Sequence, residues 1–227
     1  MSVDKSVIKV FIGSDERMGK AETAIANSIS VNTSVPVDVA FMRAGDNGFD
    51  GWDMGREPGN PYSGSGWATE FSCFRFAVPE LCDFTGRAIY LDVDMIVLGD
   101  LVELWNVSFD GRTMLTVDGG GLDVIVWNCE RVKADNWPMI SKMKTSGYNL
   151  DRYITLLPQN EQGNVISREW DCRDQVTDKS KLVHYTDMRV QPWQPWPDVF
   201  DYDSDHPCPE AVALFEQYES LAEDPVK

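Results

Sequence analysis

The feature that most constrains this chain is a short apolar run that ends in two aspartates, within residues 87–100. The run Ala-Ile-Tyr-Leu at 88–91 is typical of a strand that is buried on both faces, as in an α/β sheet. It leads directly into Asp92, Val93 and Asp94. Residues two apart on a strand point to the same side, so two carboxylates there repel each other unless a cation lies between them. A hard divalent ion with oxygen ligands fits that position.

An Asp-x-Asp motif is short and frequent, so the same residues also fit solvated turns or helix caps. Its position favours a functional interpretation, because ligands of open α/β sheets bind at the carboxyl ends of the strands. His184 ends a later predicted strand at 181–185. It either ligates the same ion or is a hydrogen-bonded core histidine.

The start of the chain predicts a β-α-β unit. Strand patterns cover residues 7–12 and 37–41, and apolar or small residues recur at helical spacing from Met18. Such a unit implies two parallel strands joined by a right-handed crossover. Residues 13–15 follow the first strand, so we expect them at the same sheet edge as Asp92. Further strands are predicted at 113–117 and 122–128, and helices at 67–78 (kinked or ended by Pro79), 137–144, 149–157 and 211–222.

The charge and cysteine content exclude some classes of protein. The net charge of −17, from 37 acidic and 20 basic residues, argues against binding to nucleic acid or an anionic membrane by long-range attraction. Five cysteines, an odd number without a C-x-x-C pair, fit reduced thiols in a cytosolic protein. The chain runs straight into a strand, and no apolar run approaches the ~20 residues of a membrane span. We therefore expect no signal peptide, no transmembrane segment and a cytoplasmic location.

Five pieces of the sequence occur in the order found in one enzyme family. They are residues 10–15, 74–79, 88–97, 124–128 and 184–188, the last followed by Pro192 and Trp193. Together they resemble the GT-A glycosyltransferases, most closely the family 8 group of glycogenin-like and bacterial galactosyl- and glucosyltransferases. The resemblance implies an α/β, GT-A (Rossmann-like) single domain, with a mostly parallel central sheet flanked by helices. That domain would span 1–227, with a core at about 7–196 and an acidic C-terminal tail at 197–227.

The resemblance also implies a metal-dependent transfer of a hexose from a UDP-sugar to a glycan or other hydroxyl acceptor, with retained anomeric configuration. Asp92, Asp94 and His184 would hold Mn²⁺ or Mg²⁺. Arg75 would reach toward the sugar or toward the two aspartates. The other donor contacts that the resemblance implies are Gly13, Ser14 and Asp15 at the uridine, together with Val93 and Gln191.

Several positions depart from the family pattern. Asp151 and Arg152 match an Asp-Gln pair beside the transferred sugar, where they would be the catalytic residues. Gln191 stands where the family has a phosphate-contacting lysine, and Asp123 stands where a glycine is common. An aromatic face suits the apolar face of a sugar. The tryptophans that we single out for stacking on a sugar ring are Trp67 and Trp193.

Three alternatives remain open from the sequence. A phosphatase of the haloacid dehalogenase type also places Asp-x-Asp after an apolar strand, usually the first, with a nucleophile and a general acid/base in the pair. A nucleotidyltransferase would need a basic, glycine-rich phosphate loop near the N-terminus, where this chain has the acidic Gly13-Ser-Asp-Glu16. A non-catalytic nucleotide-sugar-binding protein fits the departures at Gln191 and Arg152.

Overall fold

The computed structural model describes residues 7–43, 69, 71–119, 121–132, 162–198, 201–203 and 205–221. Six strands predicted from the sequence are present, with ends that differ by no more than two residues, and three further short strands are β4, β7 and β8. The strands are β1 (Ile8–Gly13), β2 (Val37–Met42), β3 (Arg87–Asp92), β4 (Met95–Val97), β5 (Met114–Val117), β6 (Val124–Asn128), β7 (Gln162–Ile166), β8 (Cys172–Arg173) and β9 (Leu182–His184).

The main sheet has the strand order β2-β1-β3-β6-β5-β7. β1 pairs in parallel with β2 and β3, and β5 pairs in parallel with β7. β6 is antiparallel to both of its neighbours, β3 and β5. The expectation of a mostly parallel sheet is therefore confirmed, with β6 as the reversed strand in its middle.

The predicted β-α-β opening is also confirmed. Helix α1 (Gly19–Asn32) joins β1 to β2 and buries one face against the sheet, including Ala21, Ile25 and Ile29. Small and apolar residues at helical spacing let the helix lie close to the strands. The parallel pairing of β1 with β3 places Gly13 directly beside Asp92.

A second sheet, with the order β4-β9-β8, lies at the carboxyl end of β3. β9 runs antiparallel to β4, so that Met95 is opposite His184. The amide of Tyr185 donates to the carbonyl of Asp94 at 2.9 Å. This pairing is what brings the histidine at the end of β9 to the two aspartates after β3.

The predicted amphipathic helix at 67–78 is wrong in its described part. A 3₁₀ helix (Phe74–Ala77) leads into a short α-helix, α2 (Val78–Leu81), and Pro79 lies in the first turn of α2 rather than ending a helix. Residues 71–78 are all buried, so there is no exposed face to make the segment amphipathic. Proline is tolerated in a first turn because its missing N–H has no helical partner there.

Two more helices frame the structure, α3 (Leu101–Trp105) and α4 (Pro209–Glu219). The side chain of Asp100 caps α3 by accepting from the amide of Val102 at 3.0 Å. Helix α4, predicted at 211–222, packs against α1, where Nδ2 of Asn32 donates to the Tyr218 hydroxyl at 2.8 Å. None of the helices in the described residues has the length and apolar character that a membrane crossing needs. The helices predicted at 137–144 and 149–157 lie outside the described residues.

Candidate metal and donor site

Asp92, the last residue of β3, is held firmly before any ligand binds. It is 6% exposed, and Nη2 of Arg75 lies 3.1 Å from each of its carboxylate oxygens. The Tyr90 hydroxyl donates to Oδ1 at 2.6 Å. Burial raises the pKa of Asp92 to about 7, although the charge of Arg75 opposes that shift. Burial and the Asp92 carboxylate also raise the pKa of Tyr90, so its hydroxyl keeps the proton that it donates.

All five N–H donors of Arg75 are used within the protein. Nε donates to the carbonyl of Ser72 at 2.6 Å, and Nη1 donates to the carbonyl of Leu122 and to Oδ1 of Asp123 at 3.1 Å. Nη2 donates to both carboxylate oxygens of Asp92. Of the two roles expected for Arg75, these contacts agree with the one toward the aspartate pair, which Arg75 meets at Asp92. Its position explains how Asp92 stays buried and oriented.

Asp94 and His184 complete the expected ligand set. Oδ1 of Asp94 lies 3.4 Å from Nε2 of His184 and has no hydrogen-bond donor. One ligand atom from each of Asp92, Asp94 and His184 lies within 4.8 Å of the others. The structure therefore brings together the three residues that the sequence predicts as metal ligands.

His184 is oriented by Asp171, a residue that the sequence did not single out. Nδ1 of His184 lies 2.8 Å from Oδ1 of Asp171, so the hydrogen on Nδ1 points to Asp171 and Nε2 faces Asp94. Burial lowers the pKa of His184, but Asp94 and Asp171 outweigh it and raise the pKa well above its usual value. Burial raises the pKa of Asp171, yet His184 and Arg173 bring it below its ordinary value. A proton on Nε2 would therefore be exchanged for a cation on binding.

A chain of alternating charges continues behind these ligands. Arg173 places Nε 2.9 Å from Oδ2 of Asp171 and Nη2 2.9 Å from Oδ2 of Asp123. Asp123 also pairs with Arg75, so the departure from glycine at this position joins two arginines. Asp123, Asp171 and His184 form a second cluster of metal-ligand types, but both carboxylates already accept from arginines. Nothing in the spacing along the chain marks Asp171 or Arg173 for this role.

The predicted uridine segment lies directly beside Asp92. A Cβ on Gly13 would come within 2.2 Å of the Tyr90 hydroxyl, so only glycine fits there. The amide of Val93 donates to the carbonyl of Gly13 at 3.1 Å. The Ser14 hydroxyl is turned inward, where it donates to Glu22 at 2.6 Å.

Asp15 folds back on its own turn, where Oδ1 accepts from the amide of Arg17 at 2.8 Å. It is 6% exposed. The side chains of Ser14 and Asp15 thus have partners inside the protein.

Gln191 lies against the Asp94 side of the site. It is 2% exposed, and Nε2 donates to the carbonyl of Tyr185 at 2.8 Å and reaches Oδ2 of Asp94 at 3.5 Å. Its Oε1 is buried without a hydrogen-bond partner.

Trp193 is not placed to stack on a sugar. It packs against Phe215 and Tyr185, and its indole N–H points at the sulfur of Met18 at 3.2 Å. Its side chain therefore belongs to the core. Trp67, Asp151 and Arg152 lie outside the described residues.

Part of this chain is similar to a known protein family. Residues 68–150 match the family described as Glycosyl transferase family 8. This segment therefore resembles family 8, and the fold of the chain is the GT-A fold. It is 28% identical over 224 residues to Protein CDI of Arabidopsis thaliana, covering 85% of this chain and 82% of that protein. The family 8 segment contains Arg75, Asp92, Asp94 and Asp123, whereas His184 lies beyond it.

Solved structures of glycosyltransferases share the fold. GlyE of Streptococcus pneumoniae TIGR4 superposes with a TM-score of 0.61 at 14% identity, over 96% of this chain. This chain spans 61% of the GlyE chain, which is less than two thirds of its length. The galactosyltransferase LgtC, solved with donor and acceptor sugar analogs, gives a TM-score of 0.58 at 12% identity, over 95% of this chain and 98% of LgtC.

The family 8-like segment supports a glycosyltransferase and argues against the phosphatase. In a haloacid dehalogenase-type phosphatase, the aspartate pair usually follows the first strand of the chain, and here it lies at the end of β3, which is not the first strand.

Proposed function

We propose that this family 8-like protein is a metal-dependent glycosyltransferase that moves a hexose from a UDP-sugar to a hydroxyl group of a glycan or other acceptor. The observation that carries the proposal is the convergence of Asp92, Asp94 and His184 at the carboxyl end of the sheet. That edge is where ligands of α/β sheets bind. Retention of the anomeric configuration is part of the proposal through the family resemblance alone.

The residues present fit a divalent ion. Four aspartates in the charge chain face two arginines, which leaves an excess of two negative charges when His184 is neutral. When His184 is neutral, Oδ1 of Asp94 is buried without a donor, which costs about 1–3 kcal/mol unless a ligand meets it. Two carboxylates and one imidazole suit Mn²⁺ or Mg²⁺ and leave coordination positions for phosphate oxygens.

Negative charge develops on the β-phosphate oxygen of the donor as its bond to the sugar C1 breaks. A divalent ion held by Asp92, Asp94 and His184 would supply Lewis-acid stabilisation of that charge. Arg75 and Tyr90 fix the Asp92 carboxylate, and Asp171 fixes the His184 ring, so the ligands need little reorganisation.

The remaining contacts to the donor belong to residues around this centre. We assign the uridine to the segment Gly13 to Asp15 and Val93, next to Asp92, and the diphosphate to Gln191. Asp151 and Arg152 are assigned to the side of the transferred sugar, following the family order.

Titration calorimetry of UDP tests the proposal. UDP should bind wild-type protein with Mn²⁺ and fail to bind in EDTA. The Asp94→Asn variant should not bind UDP even with Mn²⁺, because the ion loses a charged ligand. Asp38→Asn is the matched control, since Asp38 is exposed at the opposite end of the sheet. Absence of UDP binding to wild type with Mn²⁺ would sink the proposal.

A panel of UDP-sugars with simple sugar acceptors then measures transfer. Wild type should release UDP only with metal present, and Asp94→Asn should release none. Metal-dependent UDP binding without release from any donor would instead assign the protein as a non-catalytic nucleotide-sugar binder.

A further inference from the structure

We infer that Asp123 and Arg173 are positioning residues that hold the two halves of the cation site at a fixed separation. The inference rests on the cation site proposed above. It concerns neither the ligands themselves nor the nucleotide, but an ion pair that joins two different sheets behind the ligands.

Asp123 belongs to the main sheet. It precedes β6, and the amide of Asp92 donates to its carbonyl at 3.2 Å, so sheet pairing sets it beside Asp92. Its side chain is 22% exposed, and Oδ1 faces Arg75 while Oδ2 faces Arg173. Asp123 thus touches the group that orients Asp92 and presents its second oxygen to the other sheet.

Arg173 belongs to the second sheet. In the parallel pairing of β8 with β9, Arg173 is the partner of His184. Its guanidinium contacts two carboxylates through different nitrogens, Nε for Asp171 and Nη2 for Asp123. Asp171 in turn orients His184, so Arg173 touches the group that orients the histidine.

The ion pair between Asp123 and Arg173 therefore spans the sheets that carry the ligands. Asp92 comes from the end of β3 in the main sheet, and His184 comes from the end of β9 in the second sheet. A cation needs both ligands at bonding distance at the same time. Fixing one sheet against the other at this point lowers the cost of assembling the site when the ion binds.

Simple electrostatics and positioning predict opposite results for Arg173. Removing a positive charge near a cation site should tighten cation binding if charge alone mattered. If Arg173 positions the ligands, its removal should weaken binding in spite of the favourable change in charge. Arg173→Lys separates the two effects further, because lysine keeps the charge but lacks the planar fork that reaches two carboxylates.

The test titrates Mn²⁺ alone into the full chain and measures free Mn²⁺ by electron paramagnetic resonance. Arg173→Gln, Arg173→Lys and Asp123→Asn should each raise the Kd for Mn²⁺ about tenfold, as changes in outer partners of metal ligands do. The double variant Arg173→Gln with Asp123→Asn should be little weaker than either single variant, because both remove the same bridge. Arg131→Gln is the control, since Arg131 is exposed beyond the far end of β6.

Thermal unfolding without metal shows whether each variant is folded. If Arg173→Gln does not fold, Mn²⁺ binding by Arg173→Lys tests the inference. Unchanged or tighter Mn²⁺ binding by a folded Arg173 variant would overturn the inference and leave the proposed function intact. A wild-type protein that does not bind Mn²⁺ would instead remove the cation site on which both statements depend.

Discussion

Asp92 and Asp94 are two residues apart, yet their hydrogen-bond partners and their burial differ. Both oxygens of Asp92 accept hydrogen bonds, from Arg75 and Tyr90, inside the end of the main sheet. Asp94 has one oxygen with no donor and another that only reaches Gln191 at 3.5 Å. Its side chain is 16% exposed, against 9% for Asp92. In the Asp92 half of the site, three of the about four acceptor sites of the carboxylate are thus used within the protein, whereas in the other half Asp94 keeps more of its own for a ligand.

This difference separates stability from binding. Buried charges without partners are costly, so the Asp92 half contributes to folding only because its partners are built in. The Asp94 half carries an unmet acceptor that a cation can satisfy. Substitutions in the first half should lower the free energy of unfolding, and substitutions in the second should mainly change ligand affinity.

The largest effect is expected from Arg75→Met. It removes the common partner of Asp92 and Asp123 and five donated hydrogen bonds, so the free energy of unfolding should fall by about 3–5 kcal/mol. Chemical denaturation without metal measures the change. Arg75→Lys should recover little of it, because one ammonium group cannot replace the fork.

The matched variant in the other half is Asp94→Asn. At a pH at which His184 is neutral, it should change the free energy of unfolding by less than about 0.5 kcal/mol, because it breaks no short hydrogen bond. Equal losses for Arg75→Met and Asp94→Asn would show that the two halves are not built differently.

The sequence predicts the metal ligands better than it predicts the residues that position them. Asp92 follows an apolar run and His184 ends a strand, so the sequence and the family resemblance predict that they meet, although the two strands belong to different sheets. The pairing of Arg173 with Asp123 joins residues 50 apart in the chain. Charged residues in loops and short strands show no periodicity, so nothing local predicts which carboxylate each arginine meets.

The buried segment before β3 is the other limit of sequence reasoning. Phe71, Phe74 and Val78 suggested an amphipathic helix, but every residue from 71 to 78 is buried. Arg75 can be buried there only because carbonyls and carboxylates from elsewhere in the fold meet all of its donors. Sequence periodicity shows which residues are apolar. It does not show that a polar side chain is buried when other parts of the fold supply its hydrogen-bond partners.

A smaller effect is expected from pH. Asp92 has a pKa of about 7 in the metal-free protein, and the pKa of His184 is also raised, so a cation must displace protons from its ligands. Below about pH 7, the Kd for Mn²⁺ should therefore rise as the pH falls. The rise should be about tenfold per pH unit for every proton that the cation displaces. Mn²⁺ titrations from about pH 8 to about pH 6 measure the slope.

The stability of the metal-free protein should change in the opposite sense. A raised native pKa means that the contribution of Asp92 to stability is complete below the ordinary carboxyl pKa and is lost as pH rises through about 7. Thermal unfolding over the same pH range, with and without Mn²⁺, measures both trends. A Kd that does not vary with pH would show that Asp92 is already ionised and His184 already neutral in the free protein.

The smallest effect on metal binding is expected from Gln191→Met, which tests whether the Asp94 half is as open as the contacts indicate. The variant leaves the buried carbonyl of Tyr185 without its donor, so the free energy of unfolding should fall by about 1 kcal/mol. The amide reaches Asp94 only at 3.5 Å, the limit of a hydrogen bond, so the Kd for Mn²⁺ should change by no more than about threefold. Gln217→Met, at an exposed position on α4, is the control.

A tenfold or larger loss of Mn²⁺ affinity in Gln191→Met would mean that Gln191 fixes Asp94 or binds the ion through its unpaired Oε1. The two halves of the site would then be equally prebuilt, and the contrast between Asp92 and Asp94 would no longer hold.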